Sequence, residues 1–337
     1  MRRGRSVAQY AVVLWVAVTL NFALPRLAPG DPLEFVIGAE LGALTPGQRE
    51  RVVREVGLDR PVPEQYARYL AGITRGHLGR SIRSGRPVAD VLGERLRWTA
   101  LLAIPALLIT TVLGTAVGAW AAWRRGRAGD LPLLTGILLL DSLPVFWIAM
   151  LLLAAFAGQL GWLPPFAALA LPSSGASRGW AVATALVFPV AALVIAGFGH
   201  TFLVARAAML TTLGEDYVRT AHAKGLRPAA VVFRHALRNA LLPVYTHAAL
   251  SLGALASGAV VVETVFAYPG VGRLIFDAVA ARDYPVLQGA FLLVVVGVVA
   301  ANWLTDVTYP LLDPRVRAAT PGTSRAGAHP RGPAVAA

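Results

Sequence analysis

The sequence predicts an all-α integral membrane protein with six transmembrane helices and a helical extracytoplasmic loop. Three observations carry that expectation. The 337 residues are 56% hydrophobic and only 15% charged, whereas a soluble domain carries about a quarter charged residues. The apolar residues gather in six runs, each near the roughly 20 residues a helix needs to cross a hydrocarbon core. Arginines cluster in alternate connections between those runs, as the positive-inside rule requires of a multi-pass chain. The chain has no cysteine, which excludes disulfides and thiolate metal sites. Its net charge of +13 would point to nucleic acid in a soluble protein; here the distribution of charge along the chain matters more than its sum.

The first run, 7–27, follows Arg2, Arg3 and Arg5. It is longer than the apolar region of a signal peptide and no small-x-small cleavage site follows, so it reads as a retained span. The loop 28–97 completes a first unit, 1–97. In it Thr45, Pro46 and Gln48 form a capping box with proline at the first helical position. Gly57 is placed to end that helix in the left-handed region. "PEQYARYLAGI" then sets Tyr66, Tyr69, Leu70 and Ile73 at helical spacing. This loop reads as a small helical cap packed on the span ends, with a docking surface for an external partner as the sharper alternative.

The second and third spans, 98–123 and 131–157, flank Arg124, Arg125 and Arg127. Residues 158–179 contain Pro164, Pro165 and Pro172 and read as a loop or re-entrant piece. The fourth, fifth and sixth spans fall at 180–205, 241–266 and 286–312. With the second and third they form a five-helix core, 98–312, whose polar connection spans 205–240. The tail 313–337, rich in Gly, Pro and Ala, is expected to be disordered. Arginine placement puts both termini and the 205–240 connection in the cytoplasm.

That connection, "EDYVRTAHAKGLRPAAVVFRHALRNALLP", holds the only lysine of the chain, Lys224. Thr212 and Glu215 form a Thr-x-x-Glu pattern that starts a helix near Leu213, and Glu215 is four residues before Arg219, the favourable order for an ion pair. The helix should end at Lys224, with Gly225 supplying a positive φ and Leu226 folding back. Pro228 suits the first turn of a second helix, with Val232 and Ala236 on one side and Arg234 and Arg238 on another. Pro243 marks the entry to the fifth span. A solvated linker would need neither set of caps, and a DNA-binding element would not be tethered between two spans. A docking element for a cytosolic protein fits best.

These residues resemble the inner-membrane permease subunits of ABC importers, in the dipeptide/oligopeptide/nickel branch. "LPRLAPGDPLEF", "GLDRPVPEQYARYL", "GHLGRSIRSGRPV", "DSLPVFW", "VVVETVFAYPGVGRL", "ARDYPVLQG" and "LLDPRVR" are similar to motifs of that family, in the same order over nearly the whole chain. The resemblance implies a type I ABC importer permease (MetI-like) fold. It also implies a second homologous permease, two cytosolic ABC ATPase subunits and an extracytoplasmic substrate-binding protein as partners. ATP and Mg would be held by the ATPase subunits, with no cofactor on this chain. By the same resemblance, residues 215–226 form the coupling helix that seats in the ATPase: Glu215, Asp216, Tyr217, Arg219, Thr220, Ala221, Ala223, Lys224, Gly225 and Leu226. The general importer loop begins Glu-Ala-Ala six residues before its glycine. Here those places hold Arg219, Thr220 and Ala221, so the role of that glutamate is unassigned. Small peptides are the implied cargo, nickel or another small solute the alternative, and a bacterial or archaeal plasma membrane the location.

No Walker A motif is present, because the one lysine sits in "AHAKGLRP". No catalytic triad or metal-ligand spacing is visible either, so the chain reads as a non-enzyme without a metal site. His200 and His247 lie in or near spans and are expected to hydrogen-bond a neighbouring helix. Asp141, Glu263 and Asp306 fall in or near apolar runs, where an ionised group must face protein or water. Asp141, Glu263 and Tyr268 are the candidates for a pathway or gate, with a turn-fixing role as the plainer reading of Glu263. Gly253, Ser257 and Gly258 form a small-residue face for packing against a second permease or within the subunit. A secondary transporter would show inverted repeats and midplane ion ligands, and neither is evident.

Overall fold

The computed structural model describes residues 2–27, 45–56, 58–162 and 176–312, and among these every regular element is helical. Helix α1 (Arg2–Leu27) is followed by two short helices, α2 (Pro46–Val56) and α3 (Val62–Thr74). Gln48 reaches back to the Thr45 N–H at 2.9 Å, one half of the expected capping box. Gly57 and the tail 313–337 lie outside the described residues.

Helix α3 packs on the end of α1. Phe22 meets Tyr66 and Tyr69 at centroid distances of 5.1 and 5.4 Å. Asn21 donates to the Tyr69 hydroxyl at 3.0 Å, and Arg26 to Gln65 at 2.7 Å. Burial pushes the Tyr69 phenol above its usual pKa, so the ring stays neutral against its apolar neighbours.

The core begins with α4 (Val88–Trp123), which starts ten residues before the second expected span. Helix α5 (Asp130–Asp141) and helix α6 (Val145–Leu152) meet at an angle of 92°. The third span is therefore broken, a correction to the single helix expected over 131–157. The cause is local. Pro144 disfavours helical backbone at the residue before it and is itself extended, φ −62° and ψ 142°, while the Ser142 hydroxyl folds onto the Leu139 carbonyl at 2.7 Å. A π-helical stretch, Leu153–Gln159, ends α6.

Helix α7 (Ala176–Leu213) forms its most extensive contact with α4. Two glycines allow the backbones to meet. A Cβ on Gly114 would lie 2.8 Å from the Thr201 side chain, and one on Gly118 only 2.7 Å from the Phe202 carbonyl oxygen. Small residues four apart drive such packing where no hydrophobic force acts between helices.

After α8 (Asp216–Ala223), the chain runs without a break through α9 (Pro228–Ala230), a π-helical stretch (Val231–Ala236) and α10 (Leu237–Val265). Pro243 thus lies inside a helix rather than at its start, a second correction. Helices α11 (Val271–Ala280) and α12 (Tyr284–Leu312) close the fold. Among the described residues three helices are long and apolar enough to cross a membrane, or four if the bent α5–α6 pair counts as one. The apolar part of α1, Ala8–Ala23, is shorter.

Candidate functional site

The polar connection folds as a short helix pressed against the core. Val218 and Ala221 are buried among Ala119 and Ala122 of α4, Met209 of α7, and Val231, Val232 and Ala236 of the π-helical stretch. Gly225 has φ +76°, its N–H bonds to the His222 carbonyl at 2.9 Å, and the Leu226 N–H reaches the Ala221 carbonyl at 3.4 Å. This paired arrangement is a Schellman motif, which needs a left-handed residue that glycine adopts without strain. Pro228 takes the first position of α9 as expected.

Two details of the expected start differ. Helix α7 runs on to Leu213, and the Thr212 hydroxyl donates to the Ala208 carbonyl at 2.8 Å instead of capping. Glu215 is the N-cap residue but makes no side-chain cap. Arg219 pairs with Asp216 at 3.4 Å rather than with Glu215, because extended backbone at Glu215 turns its side chain off the helical face. Both partners are well exposed, so the pair contributes little to stability.

Glu215, Asp216, Tyr217, Arg219, Thr220, Ala223, Lys224, Gly225 and Leu226 face outward, whereas Ala221 faces the core. Sequence reasoning missed Phe233, which is 62% exposed beside Arg234 on the π-helical stretch. It also missed a clamp between helices: Arg206 donates to both Asp130 oxygens, at 2.8 and 3.0 Å, joining α7 to the start of α5.

At the opposite end of α10, Glu263 is fully buried. Its carboxylate accepts from the Thr99 hydroxyl at 2.7 Å and from the Gly272 and Arg273 N–H groups at 2.7 and 3.2 Å. The last two belong to the first turn of α11, where a carboxylate also meets the positive end of the helix dipole. Gly270 makes room, since a Cβ there would lie 2.1 Å from the Glu263 carboxyl carbon. The Tyr268 hydroxyl donates to the Trp98 carbonyl at 2.8 Å, and Ala267 takes φ 55° in the tight turn between. Burial, and then the Glu263 charge, push the Tyr268 phenol far above its usual range.

A second buried carboxylate, Asp283, precedes α12. It accepts from the Ser81 hydroxyl at 2.5 Å and from the Ile82 and Arg83 N–H groups at 3.2 Å each. The "GRSIRSGRPV" and "ARDYPVLQG" segments are thereby one latch. Nothing in the spacing of a single sequence joins positions so far apart.

Midway along the core, Asp141 ends α5 and lies against Gly199 of α7; a Cβ on Gly199 would be 2.4 Å from its Oδ1. His247 Nε2 is 3.4 Å from the Thr201 hydroxyl of α7, so this histidine does meet a neighbouring helix. The His200 and His247 rings are 5.3 Å apart. Asp306 accepts from the Tyr10 hydroxyl at 2.7 Å, tying α12 to α1. The side-chain surroundings of Gly253, Ser257 and Gly258 lie outside the described residues. No group of three or more His, Cys, Asp or Glu residues suited to a metal ion occurs among the described residues.

Two family models match the chain. "Binding-protein-dependent transport system inner membrane component" covers residues 114–318, and the N-terminal model of the same system covers residues 2–103. The chain is 38% identical over 314 residues to the di/tripeptide transport system permease protein DppB of Pseudomonas aeruginosa, covering 88% of this chain and 93% of that one. It is 36% identical to the probable peptide ABC transporter permease protein y4tP of Sinorhizobium fredii, covering 93% and 97%. It is 34% identical to the dipeptide transport system permease protein DppB of Escherichia coli, covering 90% and 95%. With both models matched and the helical core in place, the chain belongs to the family of inner-membrane permease components of binding-protein-dependent transport systems.

Proposed function

We propose that this chain is one half of the transmembrane pathway of an ATP-driven peptide importer. Six spans cross the membrane with both termini in the cytoplasm, and a second homologous permease completes the pathway. Two cytosolic ATPase subunits, which hold the ATP and Mg, dock on α8, and an extracytoplasmic binding protein delivers di- or oligopeptides to the outer face. Relatives named for di- and tripeptide transport, 34% to 38% identical over most of their length, support peptides as the cargo.

One observation carries the docking role. Helix α8 and the residues flanking it present nine of the ten expected residues outward while Val218 and Ala221 bind it to the ends of α4 and α7. A solvated linker has no reason to fix its inner face this way. Closure of the ATPases on nucleotide would then move α8 and the helices bonded to it, alternating access between the two sides.

The absence of cysteine makes the test direct. A cysteine at Ala223, paired with cysteines along the cleft of the ATPase, should crosslink in membranes with a yield that nucleotide changes. Absence of any crosslink from positions 215–230 would overturn the docking role. Cargo is tested separately, by uptake of radiolabelled dialanine into proteoliposomes that hold the complete transporter.

A further inference from the structure

A cavity of about 380 Å³ opens where the 79–88 turn, the start of α4, α11 and the start of α12 meet. Its wall includes three arginines, Arg83, Arg86 and Arg95, and three carboxylates, Glu94, Asp277 and Asp283. Equal numbers do not balance it. Asp283 is consumed by the Ser81 hydroxyl and by the Ile82, Arg83 and Val286 N–H groups. Glu94 pairs with Arg86 at 3.2 Å, and Asp277 with Arg273 at 3.8 Å. The Arg83 and Arg95 guanidinium groups make no ion pair among the described residues. Glu263, whose carboxylate feels the Arg95 charge, is already held by Thr99 and two N–H groups. Arg83 is exposed and Arg95 half-buried, so the cavity presents two cations with no anion of their own.

What the cavity lacks identifies its ligand. A guanidinium offers a planar fork of donors that matches a carboxylate or a phosphate. The ligand brings negative charge alone, because every carboxylate here is engaged and none is left for the ammonium group of a peptide. Position separates the remaining anions. The cavity lies at the start of α4, whereas Ala119 and Ala122 near its end hold α8. Val88 stands ten residues, about 15 Å at helical rise, before the apolar run expected from 98, and Asp90, Glu94, Arg95 and Arg97 fall in that stretch. A headgroup layer adds only about 5–8 Å to each side of the hydrocarbon core. Arg83 and Arg86, which precede Val88, therefore stand clear of lipid, where a protein side chain reaches them. The turn is also formed in advance. Asp283 ties it, and the Gly85 N–H closes it onto the Ser81 carbonyl at 2.9 Å with Gly85 at φ +65°. Preorganisation of this kind lowers the ordering cost of docking.

We propose that this cavity is the socket for an acidic side chain of the extracytoplasmic binding protein, held between Arg83 and Arg95. The proposal rests on the reading of this chain as the permease of an importer, which puts the end of α4 remote from α8 on the face where that protein arrives. Arg95 is one helical turn before Thr99, which bonds Glu263 of α10 and the Val271 N–H of α11. The docked acid is thus one turn from the joint of three helices.

The test measures the purified binding protein, loaded with dialanine, against the complete transporter in nanodiscs of zwitterionic lipid. Arg83→Gln and Arg95→Gln should each weaken binding about tenfold, the scale of one charge-assisted contact. Arg95→Lys, which keeps the charge, should lose less. The defect of the glutamine variants should shrink as ionic strength rises from about 0.01 to 0.15 M, where the Debye length falls from about 30 to 8 Å. Ser84 also lines the cavity, and the chain has no native cysteine. A benzophenone attached at Ser84→Cys should label the binding protein on a segment containing Asp or Glu, an arm that keeps both arginines. Unchanged affinity in both glutamine variants overturns the proposal, as does label that never reaches the binding protein. A defect of equal size at both ionic strengths marks a structural role and overturns it too. A defect seen only with phosphatidylglycerol in the discs marks a lipid headgroup site, and protection of the Ser84→Cys thiol by dialanine without the binding protein marks a cargo site; either overturns it. Failure of the binding protein to engage the wild-type transporter sinks the importer reading itself, whereas wild-type binding with unaffected variants sinks only this socket.

Discussion

Thr99 and Glu263 form a two-way joint between α4 and α10. The Thr99 hydroxyl donates to Glu263 Oε1 at 2.7 Å and accepts the Val271 N–H at 2.9 Å. One hydroxyl and one carboxylate thus serve three N–H groups at the start of α11.

Removing that acceptor should be costly. Glu263→Ala leaves buried donors without partners, each worth about 1–3 kcal/mol, and should lower the thermal unfolding midpoint more than Thr99→Val does. Glu263→Gln keeps one amide oxygen as an acceptor and should fall between. Tryptophan-fluorescence melting in detergent reads the order. Wild-type stability in Glu263→Ala would show that the turn does not depend on this carboxylate.

The α4–α7 contact predicts an inequality between two glycines. Gly118 faces the Phe202 carbonyl oxygen, which is backbone, whereas Gly114 faces the Thr201 side chain. Gly118→Ala should therefore destabilise more than Gly114→Ala, with costs in the range of about 1–3 kcal/mol typical of overpacking. The comparison is made by melting both variants side by side; the reverse order would contradict the packing.

At Gly225 the space for a side chain is open, with nothing within 4 Å of an added Cβ, so only the backbone resists substitution. Gly225→Asn should be tolerated, Gly225→Ala should cost about 1 kcal/mol, and Gly225→Val should cost more, because a branched side chain resists positive φ. Dipeptide uptake should follow the same order while membrane insertion stays normal. Full uptake by Gly225→Val would remove the turn from the coupling argument.

The Asp283 latch predicts a local opening. Asp283→Ala should free the 79–88 turn, exposing it to limited proteolysis at Arg83 or Arg86 at least about tenfold faster, the scale of one or two lost hydrogen bonds. Ser81→Ala, which removes one of the donors, should have a smaller effect. Equal cleavage of all three proteins would dissolve the latch.

Much of the polar connection was legible because its signals are local. Gly225 and Pro228 each depend only on neighbours within one turn, and both took the expected positions. The break in the third span was legible in principle from Ser142 and Pro144, but the apolar run continues through it and hydropathy hides a bend. Thr212 was misread because a hydroxyl at the end of a long helix finds a carbonyl four residues back as readily as a free N–H ahead. Gly114 and Gly118 carried a recognisable small-xxx-small spacing that the reading passed over. Ser81 and Asp283 carried none, since their pairing depends on how four helices bring two loops together.

The inner face of α8 sets how movement travels. With Val218 and Ala221 embedded between Ala119, Ala122 and Met209, and with α4 and α7 in backbone contact at Gly118, a displacement of α8 has no soft joint in which to dissipate. The two long helices act as a single lever. From Leu213 back to Gly199, where Asp141 lies against α7, the arm measures about 20 Å at helical rise. A tilt imposed on α8 therefore reaches the contact between Gly199 and Asp141 through the packed helices themselves.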